Sequence, residues 1–364
     1  MRWRNPIHTL PFAEPIANTL AEEYAELPWR RRVQALRKAG LRELGLLLNG
    51  QRRRRVERVP AEARSILWVY AGLRVGEAIM DLAPRQLVPR GVEIDLLIAP
   101  KLATLFSSDR RLRAVHSDPN AVPDDVDFVL LDTFRASSLH LKASRYPQLP
   151  FASMRGHNAG ERFDRVAYAD RRVRQLFGLP PGEVVAPTLD LGEEGGKVFE
   201  DARFRIAVPL GERAARKRYA HWNEVLRSLV SVWPEGLAPP EFRLLGQGSS
   251  ARKDLATISP QLVATHGSVG LDTGDLRDTA LDVAVCDAFL GVDGDLMQIA
   301  VAVGTPGLAL LADIDPAYCL RPESAMRALR SDDDVSDLPA ERVANAFLVA
   351  LPRFVNTGRA ELLI

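Results

Sequence analysis

The stretch Phe289-Leu-Gly-Val-Asp-Gly-Asp-Leu-Met-Gln-Ile-Ala-Val-Ala-Val-Gly-Thr-Pro-Gly-Leu-Ala-Leu310 decides how this chain of 364 residues folds. Residues 288–292 are a short apolar run, and Asp293-Gly294 closes it as a turn would. Asp295 to Val303 is an apolar segment of helical length, stopped by Gly304-Thr305-Pro306. Residues 307–311 are apolar again and read as a second buried strand. Strand, helix and strand in so short a span are the repeating unit of a parallel sheet with crossover helices.

The same alternation runs outward in both directions. Upstream, residues 204–210 and 241–245 read as strands, with Tyr219 to Val232 and Leu276 to Asp287 as helices and Asp275 as a cap. Further upstream, residues 65–71, 93–99, 114–117 and 127–132 read as strands. Gly76 to Arg90 and 160–178 read as helices. Between the two series, Leu179 to Asp201 is rich in Pro, Gly and Glu and marks a linker. Downstream, Asp337 and Pro339 start a closing helix with Val343, Phe347 and Leu351 on one face. The organisation expected is α/β: a basic helical extension (1–62), a doubly wound lobe (63–185), a second doubly wound lobe (203–338) and a last helix (339–364). In such lobes ligands sit at the carboxyl ends of the strands, in a central cleft.

Composition sets the broad class. With 46% hydrophobic and 26% charged residues and a net charge of +1, the chain is an ordinary globular protein without a global basic field. Nucleic acid is therefore not an expected partner. The two cysteines, Cys286 and Cys319, read as reduced structural residues of a reducing compartment. Leu296 to Ala312 is short of the ~20 apolar residues that a membrane span needs. A cytoplasmic protein is expected.

The charge is unevenly spread. Between Trp29 and Arg58 eleven basic residues oppose only Glu43 and Glu57, a net +9, and the remainder carries −8. Val33, Leu36, Leu44, Leu47 and Leu48 fall near helical spacing, and Asn49-Gly50 is a stop. The segment reads as a solvated helix packed by one face on the body, as a peripheral attachment to an anionic membrane face, or as a surface for a protein or nucleic-acid partner. Because the strands begin only near Ser65, the body is expected to stand without residues 1–58. Ile16, Leu20 and Tyr24 suggest one more short helix ahead.

Several chemistries find no support. The six histidines show no HxxxH or HExxH spacing, the cysteines form no CxxC, and GxxxxGK[ST] and GxSxG are missing. No metal site is expected. Gly246-Gln247-Gly248 lacks the third glycine of a dinucleotide fingerprint, and Gly195-Gly196-Lys197 reads as a turn in the acidic linker.

Three segments carry a more specific signal. Gly72-Leu-Arg-Val-Gly-Glu77 follows the first strand, and Glu77 there is either a general base or a helix first-turn glutamate. In Pro209 to Trp222, a glycine turn is followed by Arg213, Arg216, Lys217 and Arg218 ahead of a helix, a natural anion site or a solvated basic loop. The third is the stretch 289–310. Together, over residues 63 to 355, they resemble glycosyltransferase family 9, the ADP-heptose:lipopolysaccharide heptosyltransferases. Gly76-Glu77 stands where that family has Gly-Asp, and Lys217-Arg218-Tyr219-Ala220 is similar to its Lys-x-Trp-Pro segment. Asp293-Gly294-Asp295-Leu296-Met297-Gln298 is similar to its Asp-[Ser/Thr]-Gly-x-x-His signature, with Gly294, Asp295 and Gln298 as departures.

The resemblance implies a GT-B fold, with a last helix that crosses back to the first lobe. It implies inverting, metal-independent transfer of a sugar, heptose by resemblance, from a nucleotide diphosphate such as ADP-heptose. Glu77 would be the base, with no cofactor. Lys217, helped by Arg213, would neutralise the diphosphate, and Asp293, Gly294, Asp295 and Gln298 would position the donor. The acceptor implied is a cell-envelope glycan or lipid-linked glycan such as the lipopolysaccharide core. The departures also fit a noncatalytic or donor-altered member of the fold, or another nucleotide-sugar enzyme such as an epimerase.

Overall fold

The computed structural model describes residues 25–157, 163–192, 203–212, 214–272 and 274–358. They form two compact units, Met1–Pro187 and Thr188–Ile364, with the boundary inside the proline- and glycine-rich stretch 179–201.

In the first unit, α1 (Trp29–Leu48) precedes β1 (Ser65–Tyr70), α2 (Val75–Asp81), β2 (Glu93–Ile98), α3 (Pro100–Phe106) and β3 (Ala114–His116). Then follow β4 (Phe128–Leu131), α4 (Ala136–Arg145), β5 (Phe151–Ser153) and α5 (Arg165–Phe177). The five strands are parallel in the order β3-β2-β1-β4-β5. Every residue of β1 is buried, as a central strand covered on both faces requires.

The second unit begins with β6 (Phe204–Leu210), α6 (Trp222–Ser231), β7 (Pro240–Gly246), α7 (Gly248–Leu255), α8 (Pro260–His266) and β8 (Gly267–Leu271). It continues with α9 (Leu276–Ala284), β9 (Ala288–Val292), α10 (Asp295–Val303), β10 (Gly307–Ala312), β11 (Met326–Ser331) and α11 (Ala340–Gly358). Its six strands are also parallel, in the order β11-β10-β9-β6-β7-β8. Each sheet thus has the doubly wound order, reversing direction beside its first strand. The decisive stretch folds as read: β9, a turn, α10 closed by Gly304 in the left-handed region, and β10.

Several boundaries differ from the sequence reading. The helix expected over Gly76–Arg90 ends at Asp81, and a 3₁₀ turn, Ala83–Leu87, follows because Pro84 cannot continue the α-helical ladder. The helix expected from Tyr219 starts at Trp222, after a 3₁₀ turn over Ala215–Lys217. Short β5, β8 and β11 and helices α3, α4, α7 and α8 were not legible. The helix suggested around Ile16 lies outside the described residues. In α11, Val343, Ala344, Phe347, Leu351 and Phe354 enter the core of the second unit itself, alongside α6 residues Val225 and Leu229. Cys286 and Cys319 are both free thiols.

The basic segment does not stand apart from the first unit, which corrects the expectation that the body needs none of it. Ala39 and Leu46 of α1 are buried, Leu46 beside Phe151 and Tyr146 in one cluster. Beyond α1 the chain lies along β5: Phe151 donates its N–H to Arg54 O (3.1 Å) and Val56 donates to Phe151 O (2.9 Å). Val59 N–H then donates to Leu176 O (2.8 Å). Lys142 Nζ, fully buried, donates to Gln51 Oε1 and Tyr146 O (both 2.7 Å), and burial pulls its ammonium down to about 8. Glu43 joins α1 to His157 Nε2 (2.9 Å) and Arg55 (3.2 Å), and the His157 hydrogen bond above all holds its carboxyl below the usual range. The sequence could not show this, because all these partners except Arg55 lie about a hundred residues away and leave no local pattern.

Leu46→Ala should therefore destabilise the first unit by ~2–5 kcal/mol, the cost of a cavity at a buried leucine. Urea denaturation measures it; a loss below ~0.5 kcal/mol, as at a solvated surface position, would mean that α1 is not part of the core.

Candidate active site

In the second unit the order reverses between β6 and β9, so the loops after these strands leave in opposite directions. After β6, Gly211 takes φ 86°, and a Cβ there would lie 2.4 Å from Ala251 N, so only glycine lets this turn pass α7. Asp254 on α7 accepts from Gly211 N–H (2.7 Å) and from Arg218 Nε (2.7 Å), fixing both ends of the basic loop. Lys217, in the 3₁₀ turn of that loop, forms an ion pair with Asp293 at the end of β9. Gly294 caps α10, and a Cβ there would meet Glu212 Oε2 at 2.9 Å. A serine or threonine at 294 would press on that carboxylate, the movable end of a flexible side chain.

Asp295 opens α10, and Gln298 one turn on is buried. Gln298 Nε2 donates to Cys319 O (3.1 Å), while its Oε1 has no hydrogen-bond partner among the described residues. Burial, with Asp293 adding to it, pushes the Cys319 thiol up to about 12, which disfavours its thiolate form. Lys217, Asp293, Gly294, Asp295 and Gln298 are therefore brought to one place in the second unit. Arg213 lies outside the described residues. Glu212 and Asp254 were missed by sequence reading, since neither stands in a recognisable motif.

In the first unit the order reverses between β1 and β4. Buried Asp132, just past β4, accepts from Ala71 N–H (3.2 Å) and Thr133 N–H (2.5 Å), tying the two strand ends together. Its carboxyl is pushed up by burial, against the opposing pull of Arg155. Glu77 lies in the first turn of α2 after β1 and is partly exposed. Its Oε2 accepts from Arg165 Nη2 (3.1 Å) and its Oε1 from Arg74 Nη1 (3.4 Å). Arg165 also binds Asp81 (2.8 Å), one turn along α2, and Arg155 binds Asp81 from the end of β5 (3.1 Å). Tyr70 Oη donates to the same carboxylate (3.3 Å). Burial alone would raise Asp81, but Arg155 and Arg165 outweigh it and hold the carboxyl below its ordinary range. The result is a carboxylate, Glu77, oriented by a buried guanidinium that is itself anchored. Among the described residues no group of three or more His, Cys, Asp or Glu is placed to hold a metal ion.

Two parallel doubly wound units of this kind are the architecture of GT-B glycosyltransferases. No protein-family profile matches the sequence, and no curated protein does. Solved structures do match. The glycosyl transferase family 9 protein of Veillonella parvula is 14% identical, with a TM-score of 0.63 over 82% of this chain and 100% of its own. The E. coli ADP-heptose lps heptosyltransferase II is 17% identical, with a TM-score of 0.62 over 81% of this chain and 100% of its own. E. coli heptosyltransferase WaaC with ADP is 14% identical, with a TM-score of 0.60 over 80% and 99%. At these identities the likeness is one of fold, and the chain has the GT-B fold that the resemblance implied.

Asp81→Asn should cost ~3 kcal/mol by taking from two buried guanidinium groups the carboxylate they share, the low end of the range for a broken buried pair because Arg165 keeps Glu77. Because the folded-state value of Asp81 is depressed, its stabilisation is present above ~pH 4 and is lost as pH falls through the folded value. Acid denaturation curves should show this increment in the natural chain and lack it in the variant.

Proposed function

We propose that this chain is an inverting, metal-independent glycosyltransferase. It would move a sugar, heptose by resemblance, from a nucleoside-diphosphate donor to a hydroxyl of a glycan or lipid-linked acceptor. The observation that carries this reading is the meeting of Lys217 with Asp293 at the start of α10, where the second sheet reverses its order. The first turn of a helix offers N–H groups to an anion, and a lysine beside it adds a point charge. A donor diphosphate at this position would take Lys217 from Asp293 and gain a partner for the negative charge that builds on it as the sugar leaves. The E. coli structures with ADP and with ADP-2-deoxy-2-fluoro heptose share the fold, and the donor class is proposed on that likeness.

Glu77 would take the proton of the acceptor hydroxyl as its oxygen attacks the anomeric carbon and the nucleoside diphosphate departs. Arg165 and Arg74 would hold the carboxylate in one orientation. The lysine and the helix terminus neutralise the leaving group, so the mechanism asks for no divalent cation. Gln298 is anchored by Cys319 O and supports the first turns of α10 from within the unit. Lipopolysaccharide as acceptor and a cytoplasmic site of action follow from the resemblance.

A thermal-shift panel of nucleotide sugars tests the donor, since a ligand that binds only the folded state raises its melting temperature. Lys217→Ala should abolish the shift produced by the stabilising donor. Glu77→Gln should keep that shift and lower turnover by ~100-fold or more, with or without a chelator. Near-normal turnover in Glu77→Gln would remove this residue from the chemistry. Absence of any stabilising nucleotide sugar at millimolar concentration would favour a noncatalytic member of the fold.

A further inference from the structure

Helix α1 carries two apolar faces, and only one is used. Ala39 and Leu46 point to the body and are buried. Trp29, Val33, Leu44 and Leu47 fall at helical spacing on another face, with Leu41 and Leu48 on its flank. These six side chains are 49–76% exposed. Six of the ten large apolar side chains exposed among the described residues lie on this one helix, a clustering that points to an interaction surface. Exposed cations stand within and beside it: Arg30 and Arg37 share the side of Leu44 and Leu48, Arg31 and Lys38 lie further round the helix, and Arg52 and Arg53 follow just beyond it.

We propose that this outward face of α1 docks on an anionic lipid membrane. The charge argues for that occupant. A second copy seated on the same face would set the +9 segment against its equal. A nucleic-acid backbone would satisfy the cations but offer nothing to six apolar side chains. An anionic bilayer surface supplies both needs, acyl chains for the leucines and headgroups for the guanidinium and ammonium groups. The helix is also firmly mounted. Leu46 in the core, Glu43 on His157 and Arg55, and the pairing of residues 54–56 with β5 make it part of the first unit. A membrane that holds α1 therefore holds the whole unit at its surface. The inference does not depend on sugar transfer, and its test uses no donor.

The full-length chain is sedimented with vesicles of equal parts phosphatidylglycerol and phosphatidylcholine, and with vesicles of phosphatidylcholine alone. Binding to the anionic vesicles only, weakening as salt rises from ~0.01 M towards ~1 M, is expected. The double variant Leu44→Ser, Leu47→Ser alters two exposed side chains and should keep its fold by circular dichroism, yet lose ~10-fold or more in partitioning. Tryptophan emission should shift to the blue on binding, and Trp29→Phe should remove that shift. No binding to anionic vesicles at low salt overturns the proposal. Binding that the leucine variant retains in full also overturns it, since charge alone would then be acting. A concentration-dependent dimer that the leucine variant dissolves overturns it in favour of a second copy.

Discussion

A parallel sheet must return to its starting edge after every strand, and each return buries one face beneath a helix. Where the strand order reverses, two successive connections go to opposite faces, and the carboxyl ends of the two strands between them stay uncovered. Both sheets here reverse beside their first strand, β1 against β4 and β6 against β9. Nearly everything of chemical interest is gathered at these two places. The first holds Glu77, Asp81 and Asp132; the second holds Lys217, Asp293 and the start of α10.

Each place is built differently because its charges are supported differently. In the first unit a buried anion, Asp81, sits between two arginines, and one of them passes on its orientation to the more exposed Glu77. Removing the anion would be costly, whereas Glu77 at the rim is free to serve chemistry. In the second unit the backbone comes first. Gly211 lets the turn pass α7, Asp254 holds the loop by both ends, and Lys217 is delivered to Asp293 as a result.

The basic segment joins the architecture through the sheet edge. Residues 54–56 pair with β5, so the last strand of the first sheet is not left with a bare edge. That pairing gives α1 a fixed seat and leaves its second apolar face outward. Stability and surface chemistry thus come from opposite sides of one helix.

The local sequence determined the elements whose patterns are self-contained. Short apolar runs rich in β-branched and aromatic residues and bounded by turn signals, such as Ser65–Tyr70 and Ala288–Val292, read as buried strands, and Gly304-Thr305-Pro306 ends α10. It also placed Glu77, Lys217 and the stretch 293–298 at strand ends, since turn residues mark where strands stop. What tertiary structure alone decided was partnership. Arg165 meets Glu77 across 88 positions, Lys217 meets Asp293 across 76, and Lys142 meets Gln51 across 91. Short strands such as β5, three residues long, are stabilised by such neighbours and carry too little pattern of their own. The outward face of α1 has the same origin: its leucines read alike in sequence, and only the docking of Ala39 and Leu46 divided them into a buried face and an exposed one.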